Sequence, residues 1–172
     1  MKDLALRYTY VDSPIGRLLL AGDTRGLHYL GFPSGRGSLA PPPTWTPDPS
    51  PFANVTAQLG DYFDGRLRVF DVALVMHGTE FQRRVWTLLR DIPFGETRSY
   101  GWLAAALGTP RASRAVGAAN GANPLPIIVP CHRVIGADGS LTGFGGGLPT
   151  KRFLLELEGA LAPADDEQLT LI

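Results

Sequence analysis

The chain contains a single cysteine, Cys131, and His132 follows it directly. A thiol attacks as a nucleophile only after it loses its proton, and a neighbouring cation or hydrogen-bonding group promotes that loss. A lone cysteine is more often a small buried apolar residue. Adjacent side chains of an extended segment point in opposite directions, so contact between this thiol and this imidazole requires a turn. The spacing alone leaves both roles open.

A basic segment surrounds this pair. Between Thr97 and Ala137 the chain has no acidic residue and four arginines: Arg98, Arg111, Arg114 and Arg133. The whole chain carries sixteen residues of each charge sign, so the segment stands out against a neutral background. Such a segment is a modest signal for phosphate binding. Chance clustering of surface charge explains it equally well.

The first third of the chain has the pattern of strands. Residues 4–11, 16–21 and 26–32 are rich in β-branched, aromatic and leucine side chains and are separated by turn residues. Residues 33–51 contain seven prolines, which predicts an irregular loop. Helical spacing over 53–63 predicts a helix, and 67–74 are interpreted as a further strand.

Helical patterns dominate from Gly78 onward. Thr79 is a predicted N-cap for a helix that closes at Ile92-Pro93, and Ser99 for a short helix that stops at Gly108. Thr109 before Pro110 predicts a third start, for a helix over 110–119. The last two helices form a helix-turn-helix pattern, although an ordinary helical hairpin has the same spacing. A glycine-rich stretch over 136–147 and an amphipathic helix over 149–159 follow.

These patterns predict an α/β protein with a boundary near residues 76–78. The expected parts are a sheet-containing domain over 1–77, a helical domain over 78–160 and an acidic tail over 161–172. No run of eighteen apolar residues predicts a membrane span, and no secretory leader is recognised. One cysteine excludes an internal disulfide and a multi-cysteine metal site. Together these features give the expectation of a cytoplasmic protein.

Residues 123–134, Asn-Pro-Leu-Pro-Ile-Ile-Val-Pro-Cys-His-Arg-Val, closely resemble the active-site segment of the O6-alkylguanine-DNA alkyltransferases. The similarity is strong from Gly78 to Gly159 and weaker before it. It continues through four further segments: 12–16, 94–100, 113–117 and 143–148.

The resemblance implies a ribonuclease-like N-terminal domain and a winged helix-turn-helix C-terminal domain. It also implies direct-reversal DNA repair, in which the alkyl group of O6-alkylguanine moves irreversibly to Cys131 in a single turnover. The expected partner is double-stranded DNA, bound by a monomer without a cofactor. Some members hold a structural zinc through cysteines of the N-terminal domain, and because this chain has none there we expect no metal.

The resemblance assigns catalytic roles to particular residues. Cys131 accepts the alkyl group, His132 takes the thiol proton through a water, and Glu158 orients that histidine. Asn123 ties together the turn that carries the cysteine. Tyr100 is both catalytic and substrate-binding: its hydroxyl faces the flipped guanine and donates to a ring nitrogen as charge develops on the leaving base. The Val134 carbonyl recognises the exocyclic amine of the guanine.

The resemblance also implies how DNA is held. Arg114 enters the base stack and fills the space left by the extruded nucleotide, because the target atom is inaccessible inside a duplex. Small residues let the helix approach the minor groove. The residues assigned to this contact, besides Arg114, are Thr109, Ala112, Ser113 and Gly117. Phosphate contacts carry no base information, so little sequence preference is expected.

One departure concerns the substrate loop. Gly145 stands where some members have a hydroxyl residue, which removes one expected hydrogen bond to the substrate. The missing side chain also widens the predicted pocket, and we therefore expect tolerance of O6-alkyl groups larger than methyl.

Three other functions compete with this interpretation. A non-catalytic lesion-binding protein similar to the alkyltransferase-like proteins would lack the acceptor cysteine, which is present here. A helix-turn-helix regulator that uses Arg111 and Arg114 leaves the segment Pro130–Val134 unexplained. A thiol hydrolase with a Cys–His pair would turn over repeatedly, whereas an alkyltransferase would not.

Overall fold

The computed structural model describes residues 5–163. A four-stranded sheet forms the N-terminal half, with the order β3-β2-β1-β4. Its strands are β1 (Arg7–Val11), β2 (Leu18–Asp23), β3 (Gly26–Gly31) and β4 (Thr46–Pro47). β2 pairs with both β1 and β3 in antiparallel register, and β4 lies parallel to β1. The three predicted strands are confirmed, and β4 lies within the segment predicted as an irregular loop.

Helix α1 (Ala53–Phe63) has the predicted bounds and buries Val55, Leu59 and Tyr62. The strand predicted over 67–74 is wrong, because only Leu74 makes a bridge, to Leu27 of β3. Instead, the side chain of Gln58 on α1 forms both hydrogen bonds with the backbone of Asp71. It accepts from the Asp71 N–H at 2.8 Å and donates to the Asp71 carbonyl at 2.8 Å. A side chain therefore satisfies groups that a neighbouring strand would otherwise bond.

The C-terminal half is helical. It contains α2 (Glu80–Leu89), α3 (Tyr100–Ala106), α4 (Ser113–Gly121) and α5 (Leu148–Leu157), with the short parallel pair β5 (Arg98–Ser99) and β6 (Val134–Ile135). Thr79 caps α2 in a reciprocal capping box with Gln82, as predicted from the cap residue. Ser99 caps α3 by accepting from the Trp102 N–H at 3.0 Å.

The helix start predicted at Thr109 is wrong. α4 begins at Ser113, and its N-cap residue, Ala112, makes no side-chain capping bond. Residues 109–112 form a turn closed by the Ala112 N–H and the Thr109 carbonyl at 2.9 Å. Pro110 occupies the second position of that turn, which its fixed φ favours as much as the first turn of a helix.

One apolar core runs through both halves. Leu20 and Tyr62 from the first half join Trp86, Leu103 and Val129 from the second in a single cluster of buried side chains. The Trp86 indole, 1% exposed, donates to the Ala119 carbonyl at 2.8 Å and fixes α2 against α4. The boundary predicted near residues 76–78 is thus crossed by continuous packing.

Within residues 5–163, no helix is long and apolar enough to cross a membrane. The predicted acidic tail, 161–172, lies largely outside the described residues, which end at 163.

Candidate active site

Cys131 begins a single turn of 3-10 helix, Cys131–Arg133, directly after the proline-flanked segment 126–130. This turn removes the alternation of an extended chain and lets Cys131 and His132 be buried together, at 5% and 0% exposure. Ile127 in the preceding segment has a φ of 73°, the one positive value among non-glycine residues of the described chain. A β-branched residue in that region costs on the order of 1–3 kcal/mol, so surrounding contacts must hold it there.

Asn123 provides such contacts. Its side-chain amide donates to the Val129 carbonyl at 2.8 Å, and its side-chain oxygen accepts from the Leu125 N–H at 2.9 Å. The Val129 N–H closes the same loop by donating to the Leu125 carbonyl at 2.9 Å. The predicted role of Asn123 as the tie of the cysteine turn agrees with this geometry.

Glu158, at the end of α5, meets the histidine. His132 Nε2 lies 2.7 Å from Glu158 Oε1, and both side chains are fully buried. A carboxylate only accepts hydrogen bonds, so Nε2 carries the proton and Nδ1 keeps its lone pair. His132 Nδ1 is buried and has no hydrogen-bond partner among the described residues. The imidazole is therefore oriented as a base with its acceptor nitrogen free.

Two residues that the sequence interpretation did not single out for the site hold Glu158 in place. Arg133 donates from Nε to Glu158 Oε2 at 2.9 Å and from Nη2 to Oε1 at 2.9 Å. The Tyr62 hydroxyl donates to Oε1 at 2.7 Å across 96 positions of sequence. Burial alone would raise the pKa of Glu158, but hydrogen bonds from His132 and Arg133 outweigh it and lower the pKa to about 2. The carboxylate stays charged at neutral pH.

The thiol itself is held neutral. Burial raises the pKa of Cys131 to about 11, although the Asn123 amide and the Lys151 ammonium oppose the shift. Burial also lowers the pKa of His132, against the attraction of Glu158. At neutral pH the site consequently holds an unionised thiol and an unprotonated imidazole.

Tyr100, the first residue of α3, contacts the glycine-rich loop. The Thr142 hydroxyl lies 3.0 Å from the Tyr100 hydroxyl and can donate to it, which leaves the phenol proton available for a substrate. The Val134 carbonyl, predicted to recognise the guanine amine, accepts from Lys151 Nζ at 2.6 Å. A carbonyl oxygen has two lone pairs, so this bond leaves room for a second donor.

Lys151 is fully buried and was missed by the sequence interpretation. Its ammonium also donates to the Thr142 carbonyl at 2.8 Å and so joins the segment after Cys131 to the loop beside Tyr100. Burial lowers the pKa of Lys151 to about 8. No spacing rule identifies such a residue, because a lysine on a predicted amphipathic helix is normally solvated.

The residues predicted to contact DNA lie on α4 and the turn before it. Thr109 and Arg114 are exposed, and Ala112, Ser113 and Gly117 are half-buried. Gly117 faces Tyr100, since a Cβ atom built there would lie 3.8 Å from the tyrosine ring. α4, which carries Arg114, therefore packs against Tyr100 of α3 at Gly117.

Gly145 lines the same cavity as Cys131. Its carbonyl accepts from the Gly37 N–H at 2.8 Å, and a Cβ atom on Gly145 would lie 3.3 Å from the Gly37 backbone. A side chain at position 145 would press on the N-terminal loop. The position that lacks the expected hydroxyl side chain, Gly145, is thus the position where the loop around Gly37 approaches the glycine-rich loop.

Family models account for almost the whole described chain. Residues 6–76 match the ribonuclease-like domain of 6-O-methylguanine DNA methyltransferase, and residues 80–160 match its DNA binding domain. A methylated-DNA–protein-cysteine methyltransferase from Mycobacterium tuberculosis is 55% identical over 161 residues, which is 93% of this chain and 96% of that protein. One from Methanosarcina acetivorans is 53% identical over 153 residues, 89% of this chain and 98% of that protein.

Solved structures of other proteins have a fold similar to that of this chain. The crystal structure of M. tuberculosis OGT in complex with DNA superposes with a TM-score of 0.84 at 55% identity, over 92% of this chain and 96% of that chain. The O6-methylguanine-DNA methyltransferase of Pyrococcus kodakaraensis has a TM-score of 0.62 at 27% identity, over 90% of this chain and 99% of that chain. The predicted α/β fold, with a ribonuclease-like and a DNA-binding part, is confirmed.

Proposed function

The chain belongs to the 6-O-methylguanine DNA methyltransferase family, and we propose that the sulfur of Cys131 is the atom that accepts the alkyl group. The activity that comes with this membership is DNA repair by alkyl transfer to a protein cysteine. Cys131 is the single cysteine of the chain, so the acceptor has no rival of the same chemistry. The observation that carries the assignment is the buried Cys131–His132–Glu158 arrangement with a free lone pair on His132 Nδ1.

The reaction proceeds in one displacement. The thiol proton passes to His132 Nδ1, directly or through one water, and the resulting imidazolium is stabilised by Glu158. The thiolate attacks the alkyl carbon; the new S–C bond forms as the C–O6 bond breaks. The guanine anion that leaves is neutralised by a proton, which the Tyr100 phenol is placed to donate. The product is a thioether, and no further group of the described site can cleave it.

DNA is the partner, and the lesion is O6-alkylguanine in a duplex. The methylated oxygen is inaccessible in a stacked base pair, so the nucleotide must leave the stack. Arg114 is exposed on α4 and is the side chain proposed to fill the gap from the minor groove. One protein monomer acts on one lesion. A thiol that must remain reduced fits a cytoplasmic location, where disulfides are rare.

The competing functions fit less well. A non-catalytic lesion binder has no use for a cysteine whose neighbour is oriented as a base. A regulator leaves the Glu158 network without a purpose. A thiol hydrolase acts on an acyl group, forms a thioester that water cleaves and turns over, whereas transfer of an alkyl group to the sulfur gives a thioether that water does not cleave.

Intact-mass spectrometry after incubation with duplex DNA containing O6-methylguanine tests the proposal. We expect the mass of one methyl group to be added, mapping to Cys131, with no second addition in excess lesion. Unmodified duplex and the Cys131→Ala variant should give no change. Restored guanine without a heavier protein would contradict the proposal, as would methylation that persists in Cys131→Ala.

A further inference from the structure

A cavity of about 280 Å³ opens beside Cys131, between the two halves of the molecule. The C-terminal half contributes Cys131, Phe144 and Gly145, and the N-terminal half contributes Phe32, Arg36 and Leu39. Phe32 and Phe144 meet across it at 5.3 Å between ring centres. The N-terminal half, for which the sequence suggested no chemistry, therefore forms one wall of a space that reaches the acceptor sulfur.

This cavity adjoins the proposed substrate loop, since Gly145 lines it. Neither Tyr100 nor Val134, the residues proposed to face the base, lines it. During displacement the alkyl carbon lies between O6 and the sulfur, and whatever the alkyl group carries beyond that carbon must project to one side. A methyl group carries nothing further and leaves this volume unused. The cavity is thus placed to receive the remainder of a larger substituent.

The cavity wall carries one positively charged side chain and no negatively charged one. Arg36 is the sole ionisable lining residue other than Cys131 and Tyr29, and no acidic side chain lines the space. Arg36 is exposed, and within residues 5–163 its guanidinium forms no hydrogen bond or ion pair that would compete with a substrate. An arginine without a partner at the edge of an apolar pocket is suited to a carboxylate, which it can bind with two parallel hydrogen bonds.

We propose that Arg36, with the Phe32 wall of the cavity, makes the protein act efficiently on O6-alkylguanines whose alkyl group ends in a negative charge. The proposal rests on the transfer function described above and adds a substrate class to it. Arg36 binds the terminal carboxylate and orients the methylene carbon toward the sulfur. It is a specificity-determining residue and takes no part in the proton transfer.

Transfer of a carboxymethyl group follows the same displacement as transfer of a methyl group. With O6-carboxymethylguanine, the thiolate of Cys131 attacks the methylene carbon, the S–CH₂ bond forms and the CH₂–O6 bond breaks. Guanine leaves with its electron pair and is protonated. The carboxylate stays ionised and remains next to Arg36, on a carboxymethylated cysteine. No oxidant, reductant or further reactant is required.

Single-turnover transfer rates at saturating protein, on duplexes with O6-methylguanine or O6-carboxymethylguanine, test the idea. The quantity measured is the ratio of the carboxymethyl rate to the methyl rate. We expect Arg36→Gln to lower that ratio about tenfold, the loss of one charge-assisted contact, and Arg36→Lys to lower it less. Saturation removes any effect of the lost charge on DNA affinity.

Arg17→Gln is the matched control, because Arg17 lies in the same half and packs on Tyr10 without lining the cavity. Its ratio should equal that of the unmodified protein. An unchanged ratio in Arg36→Gln would overturn the proposal, as would an equal fall in the control. Absence of methyl transfer from the unmodified protein would instead refute the transfer function itself.

Discussion

In the proposed mechanism the proton of the Cys131 thiol is controlled by Glu158, a charged residue that bonds His132 and does not touch the sulfur. Glu158 is ionised and buried, and it is compensated by two bonds from Arg133 and one from Tyr62. A buried carboxylate that is fully hydrogen-bonded can stabilise the imidazolium next to it without taking the proton itself. The thiol can therefore stay protonated in the resting protein and still be activated when a substrate is bound.

The first prediction concerns Glu158→Gln. The amide keeps the size of the side chain but cannot stabilise the imidazolium, so we expect alkyl transfer at pH 7 to slow by about 100-fold. In the unmodified protein His132 is already unprotonated, so between pH 7 and 9 the rate should change only through the titration of Lys151, whose pKa is about 8. In the variant, transfer depends on spontaneous ionisation of a thiol whose pKa is about 11. Its rate should rise about tenfold for each pH unit and approach that of the unmodified protein.

Glu156→Gln is the control, because Glu156 lies on the same helix and pairs with the exposed Arg152. Its rate and pH profile should match those of the unmodified protein. Parallel pH profiles for Glu158→Gln and the unmodified protein would show that Glu158 supports the fold alone.

The resemblance of residues 123–134 to a known active site was enough to single out Cys131, His132 and Asn123 from the sequence. Glu158 followed from the same resemblance, because a carboxylate at a helix end is otherwise taken as solvated. Tyr62 could not be predicted, since its hydroxyl reaches Glu158 from the other half of the chain. Lys151 was missed because its burial depends on three segments that meet only in the folded protein.

At the scale of elements, the presentation of Cys131 depends on a strained loop rather than on a regular helix or strand. Ile127 is in the left-handed region and is 1% exposed, so its side chain contributes packing while its backbone stores strain. Asn123 offsets this cost with two hydrogen bonds to the loop. Sequence patterns describe helices and strands better than such loops, because periodicity carries no signal for them.

The second prediction is that Asn123→Ala destabilises the protein by about 2–3 kcal/mol, because the Val129 carbonyl and the Leu125 N–H both lose their partner. Alkyl transfer should slow more than the loss of folded protein explains, since the thiol is no longer held in place. Urea unfolding and single-turnover rates measure the two effects. Asn54→Ala, on the exposed face of α1, should change the free energy of unfolding by less than about 0.5 kcal/mol.

Stability and rate within error of the unmodified protein would remove Asn123 from the support of the site.

Two of the three predicted cap residues, Thr79 and Thr109, show that capping depends on the residues that follow. Thr79 caps α2 because Gln82 reciprocates, whereas the cap residue at Thr109 is taken up by a turn that Pro110 favours.

At the scale of the molecule, the two halves form one working unit. Tyr62 of the first half bonds Glu158 of the second, the apolar core is shared, and the cavity at Cys131 has walls from both. The family's DNA binding domain, in contrast, matches the second half alone, over residues 80–160. A chain with equal numbers of acidic and basic residues must bind phosphate with a local surface rather than with net charge.

The third prediction separates base extrusion from general attraction to DNA. Arg114→Ala should slow transfer from O6-methylguanine in a duplex by about 10- to 100-fold, because unstacking a base costs a few kcal/mol and the arginine offsets part of that cost. In a short single strand the base is already accessible, so the rate should fall less than about threefold. Single-turnover rates on both substrates give the comparison.

Arg111→Ala removes the same charge from the neighbouring turn. Its duplex and single-strand rates should fall together, by the amount expected for one lost phosphate contact. If Arg114→Ala also slows both substrates equally, its role is attraction to phosphate and some other group fills the gap in the duplex.

The contact between Gly37 and Gly145 limits how this protein can change. Neither position accepts a side chain without moving the two loops apart, since a Cβ atom on Gly37 would lie 3.1 Å from the Gly145 backbone and one on Gly145 would lie 3.3 Å from the Gly37 backbone. Mutational libraries that seek new substrate preferences should therefore keep both glycines and vary Phe32, Leu39 and Phe144. The sizes of these three side chains can be varied together, because all three line the cavity. The backbone contact between Gly37 and Gly145 must be kept.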